Sequence, residues 1–304
     1  MIYTYTLNPS IDYVMHVDAI QFGATNRSTS EIYKIGGKGI NVSVVLNNLA
    51  IKNRASGFLG GFSGNFIDSE LKKYQHIEND FVHTELPTRI NIKIKQDVET
   101  EINGSGAAIP EDAIEALWQQ IRNLPDDAFV VLSGSLAKGV PESIYIDICQ
   151  YLKSRNIGFV VDTASATLLD IAKLGPVLIK PNREELEAFY NSEFADDQAL
   201  IAAGKRLHAD GAQHVIISLG GKGSMLICEQ GIYRATVPKG TLVDSVGAGD
   251  SMIAGFVYGF TIGMSAVESF RYAAAAGSAT AYSRDLATKD AINTLKDDIE
   301  IVQL

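Results

Sequence analysis

The sequence contains few cysteines and histidines. Only two of its 304 residues are cysteine, Cys149 and Cys228, and they lie far apart inside apolar segments. Such a pair forms neither a disulfide framework nor a zinc spacing, so we expect two buried thiols in a reducing compartment. The five histidines never fall at a ligand spacing. The sequence therefore predicts a protein with no disulfides and no zinc site.

Positive charge and long apolar runs are also scarce. The 26 Lys and Arg residues are outnumbered by 36 Asp and Glu, which gives a net charge of −10, and no local basic patch occurs. This balance argues against a nucleic-acid or anionic-membrane partner. No apolar run reaches the length of about 18 residues that a membrane helix needs. The first residues, MIYTYTLNPSID, lack the regions of a signal peptide. We therefore expect a cytoplasmic protein.

Two common nucleotide-binding signatures are missing. The Walker A pattern G-x-x-x-x-G-K-[ST] does not occur, and GGKGS at 220–224 has Gly after its Lys and precedes a strand. The dinucleotide fingerprint G-x-G-x-x-G is absent as well. The main sequence signature of a nicotinamide oxidoreductase is therefore missing, and this enzyme class becomes a distant alternative.

Strands and helices alternate along most of the chain. Short apolar segments, separated by amphipathic ones, occur at 128–134, 157–163, 177–182 and 214–221. This rhythm predicts right-handed βαβ units on a mainly parallel sheet, hence an α/β fold. The N-terminal part continues it with a strand IYTYTL, a helix over 39–51 and a strand ASGFLGG. With 46% hydrophobic and 20% charged residues, the chain is an ordinary globular protein able to bury a large core.

Other segments alternate polar and apolar residues with a period of two. RINIKIK at 89–95 places Ile90, Ile92 and Ile94 on one face, and VETEI follows after Gln96–Asp97. This pattern is typical of a β-hairpin with one apolar and one polar face. Segments 11–17 and 28–35 look like companions, so we predict a separate sheet of about four strands. Its apolar face needs a cover, and the same sheet of a second chain is the least strained one, so we expect a homodimer.

The segment DSVGAGDSMIAGF at 244–256 combines glycines with a helix start. We expect a strand end to deliver Gly247–Gly249, and Asp250 to open an apolar helix. The first N–H groups of a helix have no internal partner, so this turn forms an anion site. An adjoining carboxylate suits phosphoryl transfer, because the amides hold the migrating group while the acid takes a proton from a hydroxyl. The alternative is an acid that merely stabilises the first turn.

DSVGAGDS and GGKGINV at 36–42 resemble the two signatures of the ribokinase-like (PfkB-type) carbohydrate kinases. Further matches are TLNPSID (6–12), NR (26–27), GGFSG (60–64), TRINIKIK (88–95), TEINGSG (100–106), LSGSL (132–136), KPNREEL (180–186) and SLGGKGS (218–224). The resemblance implies one three-layer α/β/α domain over 1–304 with a mainly parallel sheet. It also implies a small β-sheet lid formed by segments about 11–35 and 88–103, and such lids often pair between subunits.

Within the family, TLNPSID, TRINIKIK and TEINGSG most resemble the 1-phosphofructokinases. That implies ATP-dependent phosphorylation of fructose 1-phosphate at its C6 hydroxyl, giving fructose 1,6-bisphosphate. Tagatose-6-phosphate kinase and 6-phosphofructokinase stay open, because such discrimination rests on contacts of about 1–3 kcal/mol. A non-catalytic sugar-phosphate-binding regulator of the same fold is a remote alternative.

The resemblance assigns residues to the reaction and to the sugar. Asp250 matches the catalytic base, and Gly247, Ala248 and Gly249 match donors of anion-hole amides. Matches to the sugar-binding positions are Asp12, Gly36, Gly37, Lys38, Gly39 and Asn41. Arg89 is the first candidate for the phosphate already on the sugar, since a guanidinium fork fits phosphate oxygens. Further candidates around the sugar phosphate are Lys38, Arg27, Asn91 and Ser135.

On the nucleotide side, the resemblance implies ATP and Mg²⁺. Asn182 and Glu185 form the family's N-x-x-E pattern, in which an amide and a carboxylate organise waters around Mg²⁺. The alternative is a helix cap with an acidic first turn. Lys180 is a candidate contact to an ATP phosphate. The nucleotide-side loop is matched by Ser218, Gly220, Gly221 and Gly223. DTASATL at 162–168 departs from the commoner family sequence DTSGEAL. The resemblance therefore does not define the contacts of this sugar-side loop.

Overall fold

Two β-sheets organise the chain, and the computed structural model describes all residues from 1 to 304. The strands are β1 (Ile2–Thr6), β2 (Ser10–His16), β3 (Ser30–Gly36), β4 (Asn53–Gly60), β5 (Ile77–Asn79), β6 (Val82–Thr84), β7 (Arg89–Lys95), β8 (Thr100–Ile102), β9 (Phe129–Ser133), β10 (Gly158–Asp162), β11 (Leu178–Ile179), β12 (His214–Ser218), β13 (Ser224–Cys228), β14 (Gly231–Ala235) and β15 (Ile301–Gln303). The helices are α1 (Lys38–Asn48), α2 (Gly61–Leu71), α3 (Glu111–Arg122), α4 (Ile144–Ser154), α5 (Leu168–Ala172), α6 (Arg183–Tyr190), α7 (Asp197–Asp210), α8 (Ala248–Thr261), α9 (Ala266–Ala281) and α10 (Lys289–Lys296).

The large sheet is mainly parallel, as predicted. Its order is β15-β14-β13-β12-β11-β10-β9-β1-β4-β5, with β6 also paired to β4. In this spatial order, the strands from β12 through β11, β10, β9, β1 and β4 to β5 are parallel to one another. Strands β13, β14 and β15 add an antiparallel edge. Ligands of such sheets gather at the carboxyl ends of the parallel strands. The sheet therefore defines one edge at which a site is expected.

Helices cover both faces of the large sheet and create two separate cores. One core contains Leu117 of α3 and Ile148 of α4, and the other contains Phe256 of α8 and Ile292 of α10. Successive strand residues alternate between these cores, because side chains of a strand point to opposite faces. Both faces of the central strands are thus buried, which explains their continuous apolar runs. The three-layer α/β/α architecture is confirmed, and none of the helices has the length and apolar content to cross a bilayer.

The second sheet is the small sheet, formed by β2, β3, β7 and β8 in the order β3-β2-β7-β8. Its β7–β8 pair is the antiparallel hairpin that the period-two pattern predicts, whereas β2 and β7 run parallel. A third core, with Ile11 of β2 and Ile67 and Leu71 of α2, fastens it to the main body. The separate four-stranded sheet is therefore confirmed.

The two faces of the small sheet have different surroundings. Asn91 and Lys93 of the polar face are only 5% and 7% exposed. On the apolar face, Tyr13 and Tyr33 stack with ring centroids 4.5 Å apart, and Tyr33 and Ile102 remain 55% and 56% exposed. The polar face thus looks into the molecule, and part of the apolar face looks out.

The expected strand before Gly247 is not present. Strand β14 ends at Ala235, and residues 236–247 are irregular. Pro238 within this stretch has no N–H to give to a sheet ladder. The N–H groups of Val243 and Asp244 instead donate to the carbonyl of Ala281 at the end of α9. The prediction of a strand was wrong, because the chain leaves the sheet and crosses to α9 before it enters α8.

Candidate active site

The start of α8 presents backbone N–H groups without partners. The N-cap Gly247 has φ 78°, a left-handed conformation that glycine adopts readily. The N–H groups of Gly247, Gly249 and Asp250 donate to no acceptor in the protein, whereas that of Ala248 donates to Ser245 O at 3.2 Å. Free amides and the positive end of the helix dipole together form an anion site. Two of the three expected donors are free, and Asp250 adds a third.

The carboxylate of Asp250 is buried beside this anion site. Its side chain is 6% exposed, and Asn41 Nδ2 of α1 donates to its Oδ2 at 2.8 Å. Burial, reinforced by the negative charge of Asp162, raises the pKa of Asp250 to about 6. A general base works best when its pKa lies near the operating pH. Asp250 is therefore suited to take a proton from a nearby hydroxyl at neutral pH.

Asp162 joins two lysines in the same region. It ends strand β10 and is 3% exposed, with Lys38 Nζ 2.9 Å from Oδ2 and Lys180 Nζ 3.6 Å from Oδ1. Burial alone would raise the pKa of Asp162, but the charges of Lys180 and Lys38 outweigh it and the pKa is lowered. Asp162 is not among the site residues that the sequence predicts. The available signal was an acid that ends a doubly buried parallel strand, where ligands of α/β sheets gather.

Lys180 brings a positive charge to the anion site. A Cβ atom on Gly249 would lie 3.0 Å from Lys180 Nζ, so the glycine leaves room for the ammonium group. An ammonium beside unpaired amides increases the affinity of this turn for a phosphate. The structure thus brings Lys180, Lys38 and Asn41 together around Asp250.

Polar side chains of the small sheet surround the carboxylate of Asp12. Its Oδ1 accepts from Asn91 Nδ2 at 2.8 Å and from Ser10 Oγ at 2.9 Å, and its Oδ2 faces Lys93 Nζ at 3.5 Å. A Cβ on Gly36 would lie 2.8 Å from Asp12 Oδ1, so a side chain there would displace the carboxylate. This arrangement fixes a carboxylate on the polar face, where it can accept hydrogen bonds from hydroxyl groups.

Arg89 is a half-buried cation with no acidic partner. Its Nε and Nη2 donate to the carbonyl of Asn8 at 3.2 and 3.1 Å, and its Nη1 donates to Asn91 Oδ1 at 3.1 Å. Burial lowers the pKa of Arg89. A guanidinium has five N–H donors, so two stay available. An unpaired, partly desolvated guanidinium with free donors is suited to a phosphate.

The remaining sugar-side candidates divide into two groups. The side chain of Lys38 lies close to Gly134, since a Cβ there would be 3.7 Å from Lys38 Cβ. The exposed Ser135 follows in the same turn, and its Oγ accepts from Asn8 Nδ2 at 3.1 Å. Arg27 is exposed in the segment between β2 and β3 and forms no ion pair. The structure therefore brings Lys38 and Ser135 together and leaves Arg27 apart. The other glycines of the predicted set lie at the start of α1: Gly37 and Gly39.

Asn182 and Glu185 cap helix α6. Asn182 Oδ1 accepts from Glu185 N at 2.7 Å, and Glu185 Oε2 accepts from Asn182 N at 2.9 Å. These two hydrogen bonds form a capping box, so the N-x-x-E pattern serves as a helix cap, which was the alternative to a Mg²⁺ site. It leaves Glu185 Oε1 without a partner, and no cluster of three or more His, Cys, Asp or Glu surrounds it. One free carboxylate oxygen fits Mg²⁺, which keeps much of its hydration shell and takes few protein ligands.

The nucleotide-side loop follows strand β12. Its last residue, Ser218, forms a parallel bridge with Asn182, so the two predicted contacts are neighbours. The next residues form a 3₁₀ turn at Gly220–Lys222. No atom lies within 4 Å of a Cβ placed on Gly220 or Gly221, so this backbone is open to a ligand. Gly223, which ends the turn, packs against the Ala235 carbonyl instead.

An open cleft separates the small sheet from the main body. It has a volume of about 870 Å³ and is lined by Asp12 and Lys93 on one side and by Asn41 and Thr280 on the other. Ion pairs cross it from Lys34 to Asp285 at 2.9 Å and from Lys95 Nζ to Asp244 at 3.6 Å. Pockets for small ligands usually measure about 300–1,000 Å³. The cleft is therefore large enough for a small polar ligand.

The chain resembles carbohydrate kinases over its whole length. The pfkB family carbohydrate kinase profile matches residues 5–291. A 1-phosphofructokinase of Bacillus subtilis is 39% identical over 304 residues, covering 100% of both chains. A D-tagatose-1-phosphate kinase of Bacillus licheniformis is 38% identical over 305 residues, also covering 100% of both.

A solved structure has the same architecture. Escherichia coli phosphofructokinase-2, in complex with substrates and products, superposes with a TM-score of 0.91 at 28% identity, covering 97% of this chain and 98% of that one. Another structure of that enzyme is its tetrameric inhibited form. Together with the profile match, these likenesses show that the chain belongs to the PfkB family of carbohydrate kinases.

Proposed function

We propose that this protein transfers the γ-phosphoryl group of ATP to the C6 hydroxyl of fructose 1-phosphate, giving fructose 1,6-bisphosphate and ADP. The observation that carries the proposal is the buried Asp250 carboxylate next to the unpaired N–H groups at the start of α8. Phosphoryl transfer needs a proton acceptor and an anion site side by side. The full-length relative named 1-phosphofructokinase supports the choice of substrate.

In the proposed reaction, Asp250 takes the proton of the C6 hydroxyl. The sugar oxygen then forms a bond to the γ-phosphorus, and the bond from that phosphorus to the β–γ bridging oxygen breaks, releasing ADP. The N–H groups of Gly247, Gly249 and Asp250 donate to the oxygens of the migrating group, and Lys180 adds positive charge beside them. The proton on Asp250 finally passes to solvent.

The sugar phosphate binds on the polar face of the small sheet in this proposal. Asp12 Oδ2 has only the ammonium of Lys93, at 3.5 Å, as a polar partner, and it accepts hydrogen bonds from sugar hydroxyls. The two free donors of Arg89 hold the 1-phosphate, and Lys38 and Ser135 lie on the same side of the site. The cleft then closes around the ligand as a lid would, with residues 11–35 and 88–103 as the moving part.

ATP binds against the 3₁₀ turn that follows β12 in this proposal. Ser218, Gly220 and Gly221 line its phosphates, and Gly223 shapes the turn. Glu185, through its free Oε1, would hold Mg²⁺ by way of water, with Asn182 beside it. When bound, Mg²⁺ neutralises charge on the β- and γ-phosphates.

Tagatose 1-phosphate is the second candidate substrate. It is favoured by the full-length relative named D-tagatose-1-phosphate kinase, which is 38% identical. Tagatose differs from fructose in the configuration at one carbon, C4, and keeps the same C6 hydroxyl and 1-phosphate. The geometry around Asp250 and Arg89 suits both sugars. Tagatose 6-phosphate, the alternative taken from the sequence, carries its phosphate on the hydroxyl that this proposal phosphorylates.

We also propose that the protein is a homodimer joined through the apolar face of the small sheet. The exposed Tyr33 and Ile102 lie on that face with Tyr13, Ile92 and Ile94. Covering such a patch with its own copy gives a closed two-fold assembly. The tetramer known for a related kinase belongs to that enzyme and leaves this proposal open.

Substrate choice is tested by a panel of hexose phosphates in a coupled assay of ADP formation. We expect kcat/KM for fructose 1-phosphate to exceed that for tagatose 1-phosphate by about 10-fold, the size of effect that a few contacts supply. Fructose 6-phosphate and tagatose 6-phosphate should be poorer still. A higher value for tagatose 1-phosphate selects the second candidate, and no ADP with any sugar phosphate would indicate a regulator.

Asp250→Asn tests the base. We expect kcat to fall by about 10²–10⁴-fold, the usual contribution of a general base, while both substrates still bind in calorimetric titrations. The wild-type rate should fall as the pH drops through about 6, because the raised pKa of Asp250 leaves the base protonated below it. Near-normal turnover of the variant would remove Asp250 from this role.

Arg89→Ala tests the contact to the phosphate that the sugar already carries. We expect KM for the sugar phosphate to rise far more than KM for ATP, because two free guanidinium donors are lost. Arg122→Ala is the matched control, since Arg122 is exposed and pairs with Glu115 on α3. A rise confined to KM for ATP would reassign Arg89 to the nucleotide.

Ile102→Asp tests the dimer. We expect the wild-type protein to sediment as a dimer at micromolar concentration, and the variant to dissociate, because a charge on an apolar face that the dimer would bury opposes association. Val302→Asp is the control, since Val302 is 51% exposed on β15 at the far edge of the large sheet. A wild-type monomer, or equal dissociation of both variants, would contradict the proposed interface.

A further inference from the structure

Asp162 connects the proposed sugar side of the site with the proposed nucleotide side. Lys38, one partner of its carboxylate, starts α1 and lies against the turn that carries Ser135 on the sugar side. Lys180, the other partner, precedes the α6 cap on the nucleotide side, and its ammonium lies beside Gly249. The Asp162 carbonyl also accepts from Gly134 N at 2.9 Å. One buried residue thus contacts a lysine from each half of the site.

The burial of Asp162 makes these contacts hard to replace. Its side chain is 3% exposed, and that of Lys180 is 6% exposed. A buried charge that loses its partner is strongly destabilising, so the buried ammonium of Lys180 stays beside the carboxylate, whereas Lys38, whose side chain is 38% exposed, is held by its 2.9 Å ion pair. Without Asp162, the two ammonium groups would repel each other and move apart. Their positions therefore depend on this one side chain.

We propose that Asp162 is a positioning residue, whose carboxylate holds the ammonium groups of Lys38 and Lys180 where they meet the sugar phosphate and the migrating phosphoryl group. This inference rests on the proposed kinase function. Asp162 needs no contact with either substrate, because it acts through the lysines. Because one carboxylate holds both lysines, the position of the lysine on the sugar side depends on the position of the lysine on the nucleotide side.

The same carboxylate also influences the base. The groups that face Asp250 are Asn41 and Lys38 from α1, Asp162 from β10 and Lys180, which directly follows β11. Burial raises the pKa of Asp250 most, and Asp162 raises it further, whereas both lysines lower it. If Asp162 loses its charge, the lysines act on Asp250 without compensation. The pKa of Asp250 then falls, and Asp250 becomes a weaker base.

Asp162→Asn tests this inference, since it keeps the shape and removes the charge. We expect kcat to fall on the order of 10²-fold, the cost of displacing a catalytic geometry by about 1 Å. KM for the sugar phosphate and KM for ATP should both rise. The acidic limb of the pH–rate profile should move to lower pH, an effect that a purely structural role would not produce. Asp170→Asn is the control, because Asp170 is exposed and pairs only with Lys173.

The outcomes separate this inference from the proposed function. Suppose that Asp250→Asn abolishes turnover, but that Asp162→Asn leaves the acidic limb of the pH–rate profile and both KM values as in the wild type. The positioning role is then overturned and the kinase proposal stands. An active Asp250→Asn variant overturns the proposed base instead. Where Asp162→Asn does not fold, Lys180→Met gives the complementary test, because removing a positive neighbour of Asp250 should move the limb to higher pH. An unchanged limb in that variant overturns the inference.

Discussion

Two buried carboxylates lie near the same two lysines, and the chemistry proposed for the site depends on the fact that only one of them pairs directly with these lysines. Asp162 takes both ammonium groups as direct partners, whereas Asp250 has only the amide of Asn41. A buried acid without a cationic partner holds its proton more tightly. The pKa of Asp162 is accordingly lowered and that of Asp250 raised. One acid stays charged, and the other is ready to accept a proton.

The fold explains why these groups meet. Strands β10 and β11 are neighbours in the parallel sheet, so their carboxyl ends bring Asp162 and Lys180 to one edge. Helix α8 begins at the same edge and aims its unpaired N–H groups at it. The small sheet carries Asp12 and Arg89 on its polar face, and Asp12 lines the cleft between this sheet and the main body. Each element thus supplies one part of the proposed site, which no single segment contains.

Much of this could be predicted from the sequence, because it depends on local patterns. The βαβ rhythm, the period-two hairpin and the glycine-lined start of α8 are all visible within short windows. The course of residues 236–247 was not, since their N–H partner at Ala281 lies on another helix. Asp162 was missed for a similar reason: its two lysines come from distant segments. Asn182 and Glu185 show the opposite case, in which one pattern serves a helix cap and a proposed Mg²⁺ site.

The central claim is that the first turn of α8 and its acid act together on a phosphoryl group. A crystal structure with a non-hydrolysable ATP analogue and fructose 1-phosphate tests it most directly. We predict that the γ-phosphate oxygens lie within hydrogen-bond distance of the amides of residues 247, 249 and 250, and that the C6 hydroxyl lies beside Asp250. A γ-phosphate bound away from this turn, or a sugar whose hydroxyl lies out of reach of Asp250, would contradict it.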